Sequence, residues 1–217
     1  MTNIVCVSNG AREELLYQLI DTLYRNTPLD QFNITYVMDG CRTDKITGPN
    51  LSVLMVDPAV NIIGRLKNLG AYWSEKQFGR GEWLCFIDDD VAFMPWWMEK
   101  MQLIMANSNI LRLLGGVRHP YHGVNYEWAN WNETDAVAGY CHFMRWSTWD
   151  RFGPYDAHAK GTGQSEDFAI CRKIVDAGGK VGYIHPPVMA HCGLTDSSGK
   201  PILGAELIDK VEGILYE

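Results

Sequence analysis

Three consecutive aspartates, Asp88, Asp89 and Asp90, close an apolar run, Trp83-Leu84-Cys85-Phe86-Ile87. The run is too short for an ordinary helix and rich in aromatic and branched side chains, so it reads as a buried strand. Three carboxylates stacked at the end of such a strand repel one another unless a cation or hydrogen-bond donors offset them. The carboxyl edge of a parallel sheet is also where α/β folds hold their ligands. A divalent metal carrying a phosphorylated ligand meets both conditions. The structural alternative is a solvated acidic turn.

The segments around this strand set the class of fold. Ile4 to Val7 is a short apolar run closed by the turn Ser8-Asn9-Gly10. Leu15, Leu16, Leu19, Ile20 and Leu23 repeat with helical spacing between Glu13 and Tyr24, and Asn26-Thr27-Pro28 stops that helix. Asn33 to Met38 and Leu51 to Val56 read as strands, and Ile62 to Tyr72 as a helix. Strands alternating with helices imply right-handed crossovers and a mostly parallel sheet. Pro95, placed as a first helical residue, opens a helix to about Ala106. Beyond it, Leu113 to Val117 and Asp135 to Met144 read as strands, separated by an aromatic, Asn-rich segment from His119 to Asn132. A helix from Glu166 to Ala177 and a strand from Val181 to Ile184 follow. No linker divides the 217 residues. The expectation is one α/β domain, with a nucleotide-binding half over about 1–106 and an acceptor-facing half over about 107–217.

Composition narrows the classes of function. Hydrophobic residues make up 47% and charged residues 21%, the balance of a soluble globular protein. No apolar stretch reaches membrane-spanning length and the start lacks a signal peptide, so no integral membrane segment and a cytoplasmic location are expected. The six cysteines show no CxxC spacing, which favours reduced thiols over disulfides or zinc. A net charge of −7 argues against a strongly electrostatic nucleic-acid binder, a local basic groove aside.

Four blocks, taken in order, resemble the GT-A glycosyltransferases, in particular glycosyltransferase family 2. The segment Asp39-Gly40-Cys41-Arg42-Thr43-Asp44 is similar to the family's Asp-Gly-Ser-x-Asp. Asn61 through Gly64 and Lys67-Asn68-Leu69-Gly70 look like the helix whose Asn and Gly approach the nucleotide. Asp88-Asp89-Asp90 matches the Asp-x-Asp signature. Gly153-Pro154-Tyr155-Asp156, then Glu166-Asp167 and a helix carrying Arg172, is similar to the family's Gly-Gly-Phe-Asp and Glu-Asp pair. Cys41 and Pro154 depart from the pattern, where the family has serine and glycine. The implied fold is GT-A: Rossmann-like, with a mostly parallel central sheet flanked by helices and a smaller acceptor-side part.

The resemblance also implies roles. Asp90 would bind the metal, Asp88 would face the ribose or a metal-bound water and share in the metal site, and Asp89 would turn outward. His191 matches a position where relatives supply a further ligand, and an interior histidine is its alternative. Carboxylate with imidazole favours Mn²⁺ over Mg²⁺, although cellular abundance reverses such preferences. Asp39 resembles the family's nucleoside-binding acid, against the alternative of a turn aspartate before glycine. Asn9, Asn68 and Arg65 are further donor contacts, Arg65 being preferred to Lys67 on the second helix. Asp167 is the expected general base, with Glu166 beside it toward the acceptor; acids stabilised by a helix dipole are the alternative.

The function implied is metal-dependent transfer of one sugar from a nucleotide sugar, a UDP-sugar first, to an acceptor hydroxyl with inversion. The acceptor is open among glycan, lipid-linked, protein and modified-nucleobase hydroxyls. Arg112, Arg118, His119, His122, Arg145 and Arg151 would make an anionic-acceptor surface if they cluster. One or two of the eight tryptophans are expected to touch a saccharide or base, the rest to pack the core. The competing readings are a sugar-nucleotide nucleotidyltransferase and a non-catalytic carbohydrate- or nucleotide-binding module. The former calls for a glycine-rich phosphate loop with a basic residue, where this chain has Ser8-Asn9-Gly10-Ala11-Arg12.

Overall fold

Alternate residues of the first, second and fourth strands face two different cores, and that alternation organises the structure. The computed structural model describes residues 1–41, 46–116, 130–158 and 166–192, with the main chain alone at 126–127. In β1 (Thr2–Ser8), β2 (Phe32–Asp39) and β4 (Trp83–Asp88), Ile4, Cys6, Ile34, Tyr36, Cys85 and Ile87 point to one side. Val5, Val37, Leu84 and Phe86 point to the other. Strands buried on both faces need apolar side chains at nearly every position, which is why β4 reads as a continuous run.

Helix α1 (Glu13–Asn26) covers the first side with Leu16, Leu19 and Leu23, joined by Trp97, Met98 and Met101 of α3 (Trp97–Ala106). Leu66 and Ala71 of α2 (Ile63–Phe78) cover the second side, with Ile170 and Ile174 of α5 (Glu166–Asp176). Short α4 (Trp146–Phe152) adds Trp146 and Phe152 there.

Among the described residues the main sheet has nine strands, in the order β3-β2-β1-β4-β9-β6-β10-β8-β7. Its further members are β3 (Leu51–Val56), β6 (Leu111–Gly115), β7 (Tyr126–Glu127), β8 (Trp131–Glu133), β9 (Cys141–Arg145) and β10 (Lys180–Ile184). β3, β2, β1 and β4 are parallel neighbours. β9 runs antiparallel to both β4 and β6, and β6 and β10 are again parallel. The chain steps outward from β1 to β3, then returns to place β4 on the other side of β1. Open α/β sheets bind ligands at such a reversal, beyond the carboxyl ends of the strands. Ser8, Asp39 and Asp88 end their strands there. A separate pair, β5 (Val91–Phe93) with β11 (Met189–His191), sits just past the aspartates.

Several boundaries differ from the sequence expectation. α2 continues to Phe78 because polar helix formers carry it on, until Gly79 (φ +74°) caps it with an N–H to the Glu75 carbonyl. α3 starts at Trp97, after a turn through Pro95 and a left-handed Trp96 (φ +58°), so Pro95 lies ahead of the helix. Of the expected Asp135–Met144 strand only the part from Cys141 pairs in the sheet, and that strand runs one residue further, as Cys141–Arg145. Ala136, Val137 and Ala138 are buried but off the ladder, the Val137 N–H reaching Cys171 Sγ at 3.4 Å. Burial without pairing is invisible to an apolar pattern.

Candidate active site at the switch point

Ser8, at the end of β1, donates its hydroxyl to Asp89 Oδ2 at 2.6 Å and accepts the Gly10 N–H at 3.0 Å. Arg12, just before α1, forks across two carboxylates, one terminal nitrogen on Asp89 Oδ1 and the other on Asp90 Oδ2. Asp89 and Asp90 are buried, 2% and 3% exposed. The expected outward turn of Asp89 is therefore corrected. A carboxylate at that position meets Ser8 and Arg12, donors brought in from the neighbouring strand end. Burial raises the Asp89 carboxyl against the lowering pull of Ser8 and Arg12. Burial also pushes Asp90 upward, but His191 and then Arg12 outweigh it and hold that carboxyl below its ordinary value. Burial opposes the charge of Arg12, yet Asp89 and Asp90 outweigh it and raise the guanidinium.

His191 reaches this cluster through strand pairing. β11 lies antiparallel to β5 with His191 opposite Val91, and the Cys192 N–H meets the Asp90 carbonyl at 2.7 Å. His191 Nε2 comes 3.2 Å from Asp90 Oδ1, and its ring stacks on Tyr140 at 4.3 Å. Asp90 Oδ1 and His191 Nδ1 are buried and lack hydrogen-bond partners among the described residues.

A second cluster lies beside the first. Lys67, on α2, is fully buried, with Nζ 2.8 Å from the Gly139 carbonyl, 3.2 Å from Glu166 Oε1 and 3.8 Å from Asp88 Oδ1. Burial opposes its charge, but Asp88 and Glu166 outweigh that and keep the ammonium above its ordinary value. The Gly139 N–H donates to Asp167 Oδ2 at 3.0 Å, and the Phe168 N–H to Asp167 Oδ1 at 2.7 Å. A Cβ at Gly139 would stand 2.9 Å from Lys67 Nζ and 3.1 Å from Glu166 Oε1, so the backbone approaches this closely only without a side chain. Beneath lies His142, with Nδ1 2.8 Å from the Tyr155 hydroxyl and Nε2 2.9 Å from the Val137 carbonyl. The carbonyl forces the proton onto Nε2. Burial first and Lys67 second draw His142 down to about 4.

Asp39 accepts the N–H groups of Val60 and Asn61 at 2.7 and 2.8 Å, which ties the approach to α2 onto the end of β2. Its side chain also lines a cavity of about 410 Å³, together with Ser8, Asn9, Arg12, Asn61 and Asp88, within the range of small-molecule sites. Another cavity of about 370 Å³, beside Trp131 and His185, holds none of the aspartates.

Known structures share this framework. No model of a protein family matches the sequence, and neither does any curated protein. GalNAc-T7, solved with UDP, GalNAc and Mn²⁺, aligns over 85% of this chain and 42% of its own, at TM-score 0.66 and 14% identity. TarS 1-349 of S. aureus aligns over 87% of this chain and 59% of its own, at TM-score 0.66 and 15% identity. The mannosyltransferase PcManGT of Pyrobaculum calidifontis, solved with GDP-Man and Mn²⁺, aligns over 86% and 54%, at TM-score 0.62 and 14% identity. The chain has the GT-A fold. It spans about two to three fifths of the length of these neighbours.

On the GT-A sheet the expected site residues divide. Asp39, Asp88, Asp90, His191, Glu166 and Asp167 lie around the carboxyl edge in the contacts given above. Asn9 lines the cavity, its Oδ1 accepting the Ala11 N–H at 3.0 Å. Asn68 holds the Tyr155 backbone instead, donating to its carbonyl at 3.0 Å and accepting its N–H at 2.9 Å. Arg65 is exposed on α2, while Lys67, passed over as a face residue, is the buried cation.

For a metal, Asp90 Oδ1 and His191 Nε2 are a fitting pair: both are donors, and 3.2 Å approximates the ~3 Å edge of an octahedron with 2.0–2.1 Å bonds. Asp88 Oδ1 lies 3.8 Å from Lys67 Nζ, and the residue lines the cavity. Among the described residues no three acidic, imidazole or thiolate side chains gather to hold an ion alone. Donor phosphate oxygens or water would complete the shell.

Arg145 pairs with Glu82 and covers the Trp83 ring at the opposite end of β4, and Arg151 covers Phe152. Arg145 therefore sits at the end of β4 away from the aspartates. Arg118, His119, His122 and Trp128 lie outside the described residues, as do 42–45 and the 160–163 stretch. Trp97, Trp131 and Trp146 are buried and Trp96 is exposed. All six cysteines are free thiols.

Proposed function

We propose that the protein is a metal-dependent glycosyltransferase that moves one sugar from a UDP-sugar to an acceptor hydroxyl, with inversion. One observation carries the reading. A GT-A sheet ends in Asp39 and Asp88 beside an open cavity, with the Asp90–His191 pair just past β4 and Glu166 and Asp167 one lysine away. GalNAc-T7 with UDP and TarS with UDP-GlcNAc support a uridine donor, and Mn²⁺ with GalNAc-T7 and PcManGT supports that ion.

In this proposal residues 1–106 bind the donor and 107–217 face the acceptor. Asp39 receives the base or ribose hydroxyls; Asp90 with His191 would hold Mn²⁺ or Mg²⁺, which would supply Lewis-acid stabilisation to the leaving diphosphate. Asp167 takes the acceptor proton. Its oxygens accept the Gly139 and Phe168 N–H groups at 3.0 and 2.7 Å, which hold the carboxylate in place at the start of α5. Glu166, anchored by Lys67, contacts the acceptor. A base opposite the departing diphosphate gives a single displacement. Among the described residues no helix is long and apolar enough to cross a membrane. The acceptor class stays with glycan, lipid-linked, protein or modified-nucleobase hydroxyls.

A thermal-shift screen of nucleotide sugars with and without Mn²⁺, followed by donor hydrolysis, tests the reading. Stabilisation by UDP-sugars that EDTA abolishes is expected. A protein unmoved by every nucleotide sugar in either buffer would contradict it.

A further inference from the structure

We propose that Arg12 binds the donor's phosphates and that buried Asp89 is its positioning residue. The proposal rests on the donor-site reading above and adds a residue to it. The cavity is lined by the carboxylates of Asp39, Asp88 and Asp89, and among the described residues Arg12 is the one cation that lines it. An anionic diphosphate entering such a cavity needs a positive partner. Arg12 is 45% exposed while the carboxylates it grips are almost wholly covered. Its base is fixed and its outer face is open.

Two of its five N–H groups go to Asp89 and Asp90, which leaves three for a ligand. A planar guanidinium fork matches phosphate oxygens better than a point charge does. The support beneath is continuous: the Gly10 N–H meets Ser8 Oγ, the Ser8 hydroxyl meets Asp89, and Asp89 meets Arg12. A side chain ordered in advance loses little further freedom on binding. The middle aspartate of the run thus serves the arginine, while Asp90 faces His191.

The test is calorimetric titration of uridine, UDP and inorganic pyrophosphate, each in EDTA and in Mn²⁺. The proteins compared are the unmodified protein, Arg12→Gln, Arg12→Lys and the double variant Arg12→Gln/Asp89→Asn. The double variant removes Asp89, one of the two buried carboxylates that Arg12 grips, together with the cation and leaves Asp90 facing His191, so it carries less unpaired buried charge than the single variant. UDP and pyrophosphate are expected to bind Arg12→Gln and the double variant about 10- to 100-fold more weakly, the scale of charged hydrogen bonds. Uridine affinity should stay unchanged, and Arg12→Lys should recover part of the loss. Unchanged UDP affinity, or an equal loss for uridine, would overturn the assignment. If the folded unmodified protein bound neither uridine nor UDP in either buffer, the donor-site reading itself would fall.

Discussion

Asp89 and Asp90 are adjacent in sequence yet face different partners, Ser8 and Arg12 for one, Arg12 and His191 for the other. At this scale the roles separate by substitution. Asp167→Asn keeps one acceptor, for the Gly139 or the Phe168 N–H, but cannot take a proton. Activity should fall about 10²–10⁴-fold with UDP affinity intact, read by steady-state kinetics beside calorimetry. Lost UDP binding in a folded variant would move Asp167 out of the base role. Asp39→Asn turns one acceptor into a donor against the Val60 or Asn61 N–H. A loss of about 1–3 kcal/mol of stability and weaker uridine binding are expected, measured by urea unfolding and titration. Motif spacing reaches Asp39 and Asp167. It does not reach Arg12, which bonds across 77 and 78 residues.

Helix α2 shows how an element sets a site. A Cβ on Gly64 would lie 2.5 Å from the Asp156 carbonyl and 3.1 Å from Glu166 Cβ. Helix propensity alone favours Gly64→Ala by about 1 kcal/mol, but overpacking costs about 1–3 kcal/mol. Net destabilisation and reduced activity are expected, read by urea unfolding and donor turnover. The β9 histidine gives a pH signature. An unfolded histidine protonates near 6.5, whereas buried His142 resists to about 4. Between those values the unfolded state binds the extra proton, so this stabilisation is lost as pH falls through that window. It amounts to about 3 kcal/mol over 2.5 units. Unfolding of the unmodified protein and His142→Gln from pH 7 to 4 should show the steeper loss in the former.

Across the whole molecule, Lys67 joins what the sequence separates. Its ammonium stands between Asp88 at the end of β4 and Glu166 at the start of α5. Lys67→Met would leave those carboxylates and the Gly139 carbonyl without their buried cation. A cost of about 3–5 kcal/mol follows from breaking such a network, with a lowered melting temperature as the readout. The sequence pattern missed this because a lysine on an amphipathic helix usually reads as solvated. Only the packing of α2 beneath the Gly139 segment covers it.

Chain order by itself determined the alternating strands and helices, the aspartates at a strand end and the acidic pair opening α5, because apolar period and caps are local signals. Tertiary structure alone decided that Asp89 points inward, that Arg12 and Lys67 are the site's cations, and that Asn68 braces a turn. Each depends on contacts between distant segments. Such partners are chosen by which strand ends and helix faces come together in space, and no local pattern encodes that.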